Sequence, residues 1–362
     1  GPQPITRPHG TSLDGVLPVG SLGMGDTSMR VGAITIHPYR LPLRSPVVIG
    51  GHALHEREGW LVAITDTTGR IGWGDCCPLP GYHQEHLSDL LPCLQEWKDR
   101  LTGIPLADAA GMRFPFPSFQ CAVDQALRVL RTDRPKPWTL SLTALLHPGE
   151  LERFLALQDQ GWRTFKLKVG AVVDDDIAFV SALLEQASQE VRFRLDANGR
   201  WNLDQALAFA AAVSDERIEF IEEPVRGADA LQTFREETHW PVALDEQLAD
   251  HPPSRSALEG LTAFICKPSR VGGYARADQW RQCCIETGVR FILSSCYESG
   301  VGMTGLLDYA AAIQTVESCG FDTYSRLGED LLMTALSFDQ PTIDWPSGLD
   351  ASVQTGRLGD AV

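Results

Sequence analysis

The segment RTFKLKVGAVVDDDIAFVSALLEQASQEVRFRLDAN (163–198) contains one complete structural repeat and the start of the next. RTFKLKV (163–169) alternates polar and apolar residues with the period of two that marks a strand. Apolar residues at helical spacing follow in DDDIAFVSALLEQA (174–187), and VRFRLD (191–196) is strand-like again. Strand, helix and strand in this order form a βα unit, so the two strands run parallel. The pattern continues through IEFIEE (218–223), VALDE (242–246), AFICK (263–267) and FILSS (291–295). Amphipathic stretches such as NLDQALAFAAAV (202–213) separate them. A parallel sheet follows, either open or closed into a barrel.

The strand-like runs end in ionisable residues: Lys166 and Lys168, Asp196, Glu222 and Glu223, Asp245, and Lys267. The spacing is 28 residues from Lys168 to Asp196, 26 to Glu222, 23 to Asp245 and 22 to Lys267. Each interval is one βα unit, so parallel strands gather these side chains at one rim. In a (β/α)8 barrel the C-terminal rim carries the chemistry. A polar residue where one strand leaves the core is ordinary; five successive units are not. Three converging carboxylates repel unless a cation lies between them. A few oxygen ligands with open positions suit Mg²⁺ rather than zinc. Lysines beside that metal are expected to have lowered pKa values and to act as acid and base. Such a set suits removal of a proton next to a carboxylate and stabilisation of the resulting enediolate.

Upstream, VGAITIHPYRLPL (31–43) and WLVAITDTTGRIGWGD (60–75) read as strands, and HLSDLLPCLQEWKDRL (86–101) and SFQCAVDQALRVLR (118–131) as helices. They predict an α+β domain over 31–134, completed by the C-terminal segment 330–362, with the barrel over 135–329. Residues 1–30 lack periodicity and are expected to be a disordered leader or a cloning remnant, with Met29 a possible native start. Lys and Arg total 31 against 47 Asp and Glu, a formal charge of −16, which disfavours nucleic acid and anionic membranes as partners. No apolar run reaches the ~20 residues of a membrane helix. The nine cysteines include no C-x-x-C and match neither a zinc framework nor a disulfide scaffold, so reduced thiols and a cytoplasmic location are expected.

KLK (166–168), DAN (196–198), EEP (222–224), DE (245–246) and KP (267–268), in this order and spacing, resemble the enolase superfamily. That group uses a Lys or His base with Mg²⁺. The resemblance implies an α/β fold: a modified (β/α)7β TIM-type barrel with an N-terminal α+β capping domain. The lysine pair is similar to the muconate-lactonising branch. Within it, GWGDCCPLPGYHQE (72–85) and ILSSCYESGVG (292–302) resemble segments of the o-succinylbenzoate synthases, although Asp75-Cys76-Cys77 replaces the more usual Glu followed by small residues.

Carried onto this chain, the resemblance implies Asp196, Glu222 and Asp245 as ligands of Mg²⁺, for which Mn²⁺ could substitute. It implies Lys168 as base and Lys267 as the opposing lysine. Lys166, Arg194, Asn198, Ser294, Ser295 and Gly300 are the expected contacts to a small-molecule carboxylate substrate. Gly300 opens GVGMTG (300–305), a dinucleotide-like motif in the wrong place. Its N–H groups could hold a succinyl carboxylate, and tight strand-to-helix packing explains it equally well. His83 and His86 read as solvated surface residues.

The implied reaction is dehydration of 2-succinyl-6-hydroxy-2,4-cyclohexadiene-1-carboxylate to 2-succinylbenzoate, a step towards menaquinone or phylloquinone. An N-succinylamino acid racemase or dipeptide epimerase on the same residues is the alternative. More remote are a Schiff-base aldolase and a non-catalytic barrel. The sequence leaves monomer and homo-oligomer open.

Overall fold

The computed structural model describes residues 29–348 and 351–362. The leader expected at 1–30 therefore lies outside the described residues except for Met29 and Arg30. These two already belong to the fold: Leu106 N donates to Met29 O, and Arg30 bridges to Pro105.

An antiparallel meander opens the chain, with β1 (Val31–Ile49), β2 (His52–Asp66) and β3 (Ile71–Cys76) in that order. Their apolar residues, among them Ile36, Val62 and Ile64, bury against the helices Leu94–Leu101 and Pro117–Arg131. Trp97 stacks on Phe119 at 4.5 Å between ring centroids. This cluster of core residues is distinct from that of the barrel. The C-terminal segment returns to the edge of β1, where Gly328 N donates to Pro42 O and Val362 N to Ile36 O.

A short strand β4 (Trp138–Ser141) leads into the barrel. Its strands are β5 (Ala144–Leu146), β6 (Thr164–Lys168), β7 (Arg192–Asp196), β8 (Ile218–Glu222), β9 (Val242–Leu244), β10 (Ala263–Cys266) and β11 (Arg290–Leu293). They pair in chain order in one parallel sheet. A last strand, β12 (Thr342–Trp345), pairs antiparallel with β4 outside that sheet.

The segment 319–320 closes the barrel. Cys319 N donates to Ser141 O at 2.8 Å and Thr143 N to Cys319 O at 2.9 Å; Gly320 N donates to Leu293 O and Ser295 N to Gly320 O, both at 2.9 Å. The sheet edges are thus joined through one short extended segment, giving the (β/α)7β form of a TIM-type barrel with a capping subdomain. Among the described residues no helix is long and apolar enough to cross a membrane.

The strand period explains the placement of the charges. Phe165 and Leu167 are fully buried against the surrounding helices together with Phe193 and Leu195. Lys166 and Lys168 therefore point into the barrel. Register places Lys168 beside Asp196 and Asp196 beside Glu222. β6 and β10 lie four positions apart around eight, so Lys168 and Lys267 approach the axis from opposite sides.

Candidate active site

Six of the residues singled out in the sequence form one charged cluster at the C-terminal rim. Lys166 Nζ lies 3.2 Å from Asp196 Oδ2 and 3.0 Å from Glu222 Oε2. Lys168 Nζ lies 2.9 Å from the same Asp196 oxygen and donates to Asn198 Oδ1 at 3.2 Å. Lys267 Nζ reaches Asp245 Oδ2 at 2.7 Å. All three carboxylates are buried, whereas the Lys168 side chain retains 30 % exposure, about twice that of Lys166 or Lys267.

Burial opposes the charge of Asp196, but Lys168 and Lys166 outweigh it and hold its pKa well below the usual carboxylate range. Glu222 moves the other way: burial and the charge of Asp196 push it up to about 7. The lowered lysine pKa values expected from the sequence are not found at Lys166 and Lys267. Burial favours their neutral forms, yet Glu222 and Asp196 raise Lys166, and Asp245 raises Lys267.

Among the described residues no three His, Cys, Asp or Glu side chains are gathered as a ready cage for a cation. Lysine ammonium groups take the facing oxygens instead. The donor set nevertheless fits a hard cation. Glu222 Oε1 is buried without a hydrogen-bond partner, and the charges of Asp196 and Asp245 both act on Glu222. A divalent ion held here would relieve that repulsion and give the orphaned oxygen a partner.

Glu223 is committed elsewhere. Its carboxylate accepts from Asp245 N at 2.8 Å and Gln247 N at 3.1 Å, which pins the turn that presents Asp245. Of the two glutamates in EEP, Glu222 is the one turned to the cluster.

A cavity of about 90 Å³ sits over the cluster, lined by Lys166, Lys168, Asn198, Lys267, Ser294 and Ser295 together with residues the sequence reading missed. Chief among these is Tyr82, brought in by the loop after β3. Its hydroxyl donates to Asp245 Oδ1 at 2.5 Å, and Lys267 Nζ stands 4.4 Å from its ring centroid. The loop is held by close backbone contact. Gly81 has φ +83°, and a Cβ there would come within 2.4 Å of Ile49 O on the β1–β2 turn. His83 is buried rather than solvated: it accepts from Leu79 N and donates to Ser269 O, and burial pushes its pKa down to about 3. Of these two histidines only His86 is exposed, as expected.

Two expected substrate contacts lie away from this cavity. Arg194 lies one layer below the rim, where its guanidinium binds Glu219, Ser318 O and Glu317 and packs over Phe220. It does not line the cavity. Gly300 does not either: its N–H donates to Asp330 Oδ1 at 2.7 Å, and a Cβ would meet Asp330 Oδ2 at 2.0 Å. Tight packing accounts for that glycine.

A closed βα barrel with paired lysines facing strand-end carboxylates beneath a capping subdomain defines the enolase class of fold and site. Residues 150–349 match the family described as "Enolase C-terminal domain-like", and residues 31–130 match "MenC, N-terminal domain". The chain is 31 % identical to an o-succinylbenzoate synthase of Yersinia enterocolitica over 87 % of this chain and 99 % of that one. In structure it resembles an enolase-superfamily member from Roseovarius nubinhibens, with TM-score 0.79 and 20 % identity over 92 % of this chain and 99 % of that one. It also resembles an N-succinyl Arg/Lys racemase from Bacillus cereus, with TM-score 0.74 and 22 % identity over 87 % and 92 %. The chain belongs to the enolase superfamily, in its muconate-lactonising and o-succinylbenzoate synthase branch.

Proposed function

We propose that the chain is an o-succinylbenzoate synthase, a hydro-lyase that converts 2-succinyl-6-hydroxy-2,4-cyclohexadiene-1-carboxylate to 2-succinylbenzoate on the route to menaquinone or phylloquinone. The observation that carries this reading is the placement of Lys168 and Lys267 on opposite walls of one small cavity above Asp196, Glu222 and Asp245. Likeness to curated synthases over nearly the whole of their length supports it. Residues 31–134 with 330–362 are assigned to the cap and 135–329 to the barrel.

Asp196, Glu222 and Asp245 are the residues that would hold Mg²⁺ or Mn²⁺, which when bound polarises a substrate carboxylate and makes the neighbouring proton removable. Lys168, the most accessible of the three lysines, takes that proton. The C–O bond to the ring hydroxyl then breaks, and Lys168 returns the proton so that water departs. Aromatisation drives this second step. Lys166 offsets the charge of Asp196 and Glu222 from below. Lys267 remains an ammonium on the far side and stabilises the delocalised anion electrostatically.

Racemisation of N-succinylamino acids needs both lysines to exchange a proton. Here Lys267 is tied to Asp245 and seated on the Tyr82 ring, which favours the electrostatic role. Assay of both substrate classes tests the choice. Dehydration is expected, and racemisation without dehydration would reverse it.

A further inference from the structure

Six hydroxyl side chains line the cavity over the cluster, and five of them are engaged. Tyr82 donates to Asp245, Ser294 and Ser295 donate to Gly320 O, and Thr143 and Thr323 pair with Ser318 and Ser295. Tyr297 is the sixth. Its hydroxyl forms no hydrogen bond among the described residues, and it is not one of the polar atoms sealed from open space. The charges of Arg326, Lys267, Lys166 and Asp322 all act on it, so the phenol oxygen stands among the cations of the site. Asp322 is already engaged: its carboxylate accepts from Leu145 N at 2.8 Å, Arg153 Nη2 at 3.3 Å and Ser325 Oγ at 2.8 Å.

The backbone is bent to put that side chain there. Tyr297 has φ +60°, a left-handed conformation that a bulky residue rarely adopts. Asn198 and Glu223, which follow β7 and β8, share it at φ +50°. Both use it to aim a working side chain: Asn198 accepts from Lys168, and Glu223 holds the turn of Asp245. Tyr297, after β11, is fixed from three directions. Arg57 Nε of the capping subdomain donates to its carbonyl at 3.1 Å, and its own N–H donates to Thr323 Oγ1 at 3.1 Å. Glu298 accepts from the N–H of Cys296 on its other side. A strained turn held this firmly, presenting a hydroxyl without a partner, is characteristic of a binding position.

We propose that Tyr297 is a specificity-determining residue, its hydroxyl donating to the terminal carboxylate of the substrate's succinyl tail. The inference rests on the o-succinylbenzoate reading and adds which group holds the tail. Tyr297 borders the passage from the inner cavity into an outer space of about 480 Å³, since it lines both. Surrounding cations select an anionic acceptor for a lone donor. The ring carboxylate is taken by the reacting centre at Lys168, so the tail's carboxylate is the anion that remains.

Calorimetric titration of the full chain with Mg²⁺ present tests this, using 2-succinylbenzoate and 2-butyrylbenzoate, which keeps ring and chain but lacks the terminal carboxylate. Tyr297→Phe keeps the aromatic ring and removes only the hydroxyl. It is expected to bind 2-succinylbenzoate about tenfold more weakly than wild type and 2-butyrylbenzoate equally well. KM for the cyclohexadiene should rise by the same factor. Equal affinity of wild type and Tyr297→Phe for 2-succinylbenzoate would overturn the assignment. An equal loss for both ligands would also overturn it, because that marks a packing role. Wild type that fails to bind 2-succinylbenzoate would overturn the reading beneath it instead. N-succinylphenylalanine and N-butyrylphenylalanine then test Tyr297 by the same comparison, and wild type that binds neither succinyl compound overturns both.

Discussion

Tyr82, carried by a loop of the capping subdomain, donates its hydroxyl proton to Oδ1 of Asp245 at a barrel strand end. The opposite oxygen of the same carboxylate takes Lys267. One aspartate therefore links cap, barrel and candidate catalytic lysine, and the site is complete only when the two parts are docked.

Removing that hydroxyl should loosen Asp245 while leaving the ring under Lys267. Tyr82→Phe is expected to lower kcat/KM by about tenfold, the worth of one hydrogen bond to a charged group at roughly 1.5 kcal/mol. Tyr82→Ala, which also removes the cation–π contact, should cost more. Steady-state kinetics of both variants checks the order, and equal losses would contradict it.

Gly81 fixes where Tyr82 stands. Its φ of +83° and the approach of Ile49 O leave no room for a side chain. Gly81→Ala should destabilise the fold by about 1–3 kcal/mol and raise KM, because the loop must move to relieve the clash. Denaturant unfolding alongside kinetics measures both effects.

His83 makes stability depend on pH on the acid side. The folded state holds it neutral to about pH 3, whereas the unfolded chain protonates it near pH 6.5. Between these values the unfolded state binds more protons, so stability falls as pH drops from 6.5 towards 3. The loss is on the order of a few kcal/mol. His83→Gln, less stable at neutral pH, should show a flatter profile through that window in urea titrations.

Mg²⁺ should stabilise the folded chain by roughly 3 kcal/mol at a hundredfold excess over its Kd. The orphaned Oε1 makes Glu222 the sensitive position. Glu222→Gln is expected to abolish most of the Mg²⁺-dependent rise in Tm, and a rise equal to that of wild type would remove Glu222 from the ligand set.

The barrel was legible because a strand that ends in a charged residue once per βα unit leaves a periodic mark. Lys168, Asp196, Glu222, Asp245 and Lys267 gave both the repeat and the candidate site. β5 spans only Ala144–Leu146, and the closing segment at 319–320 is shorter still, so neither is long enough to show a period. Tyr82 escaped notice because it belongs to a loop whose position depends on contacts with Ile49 far away in sequence. Alternation placed Arg194 correctly on the inner face of β7, but depth along the strand decides its partners, and two residues lower it meets Glu219 instead of substrate. The glycines of GVGMTG illustrate the same limit. A glycine required by packing and one required by a ligand look identical until the neighbouring Asp330 is seen.

The central claim is that Lys168 removes the proton next to a carboxylate in a metal-dependent dehydration. Turnover of 2-succinyl-6-hydroxy-2,4-cyclohexadiene-1-carboxylate, followed in wild type and Lys168→Ala with Mg²⁺ and with EDTA, tests it most directly. The account predicts 2-succinylbenzoate from wild type with Mg²⁺ alone, and a kcat lower by a factor of about 10²–10⁴ in the variant. A Lys168→Ala rate equal to that of wild type, or turnover unaffected by EDTA, would contradict it.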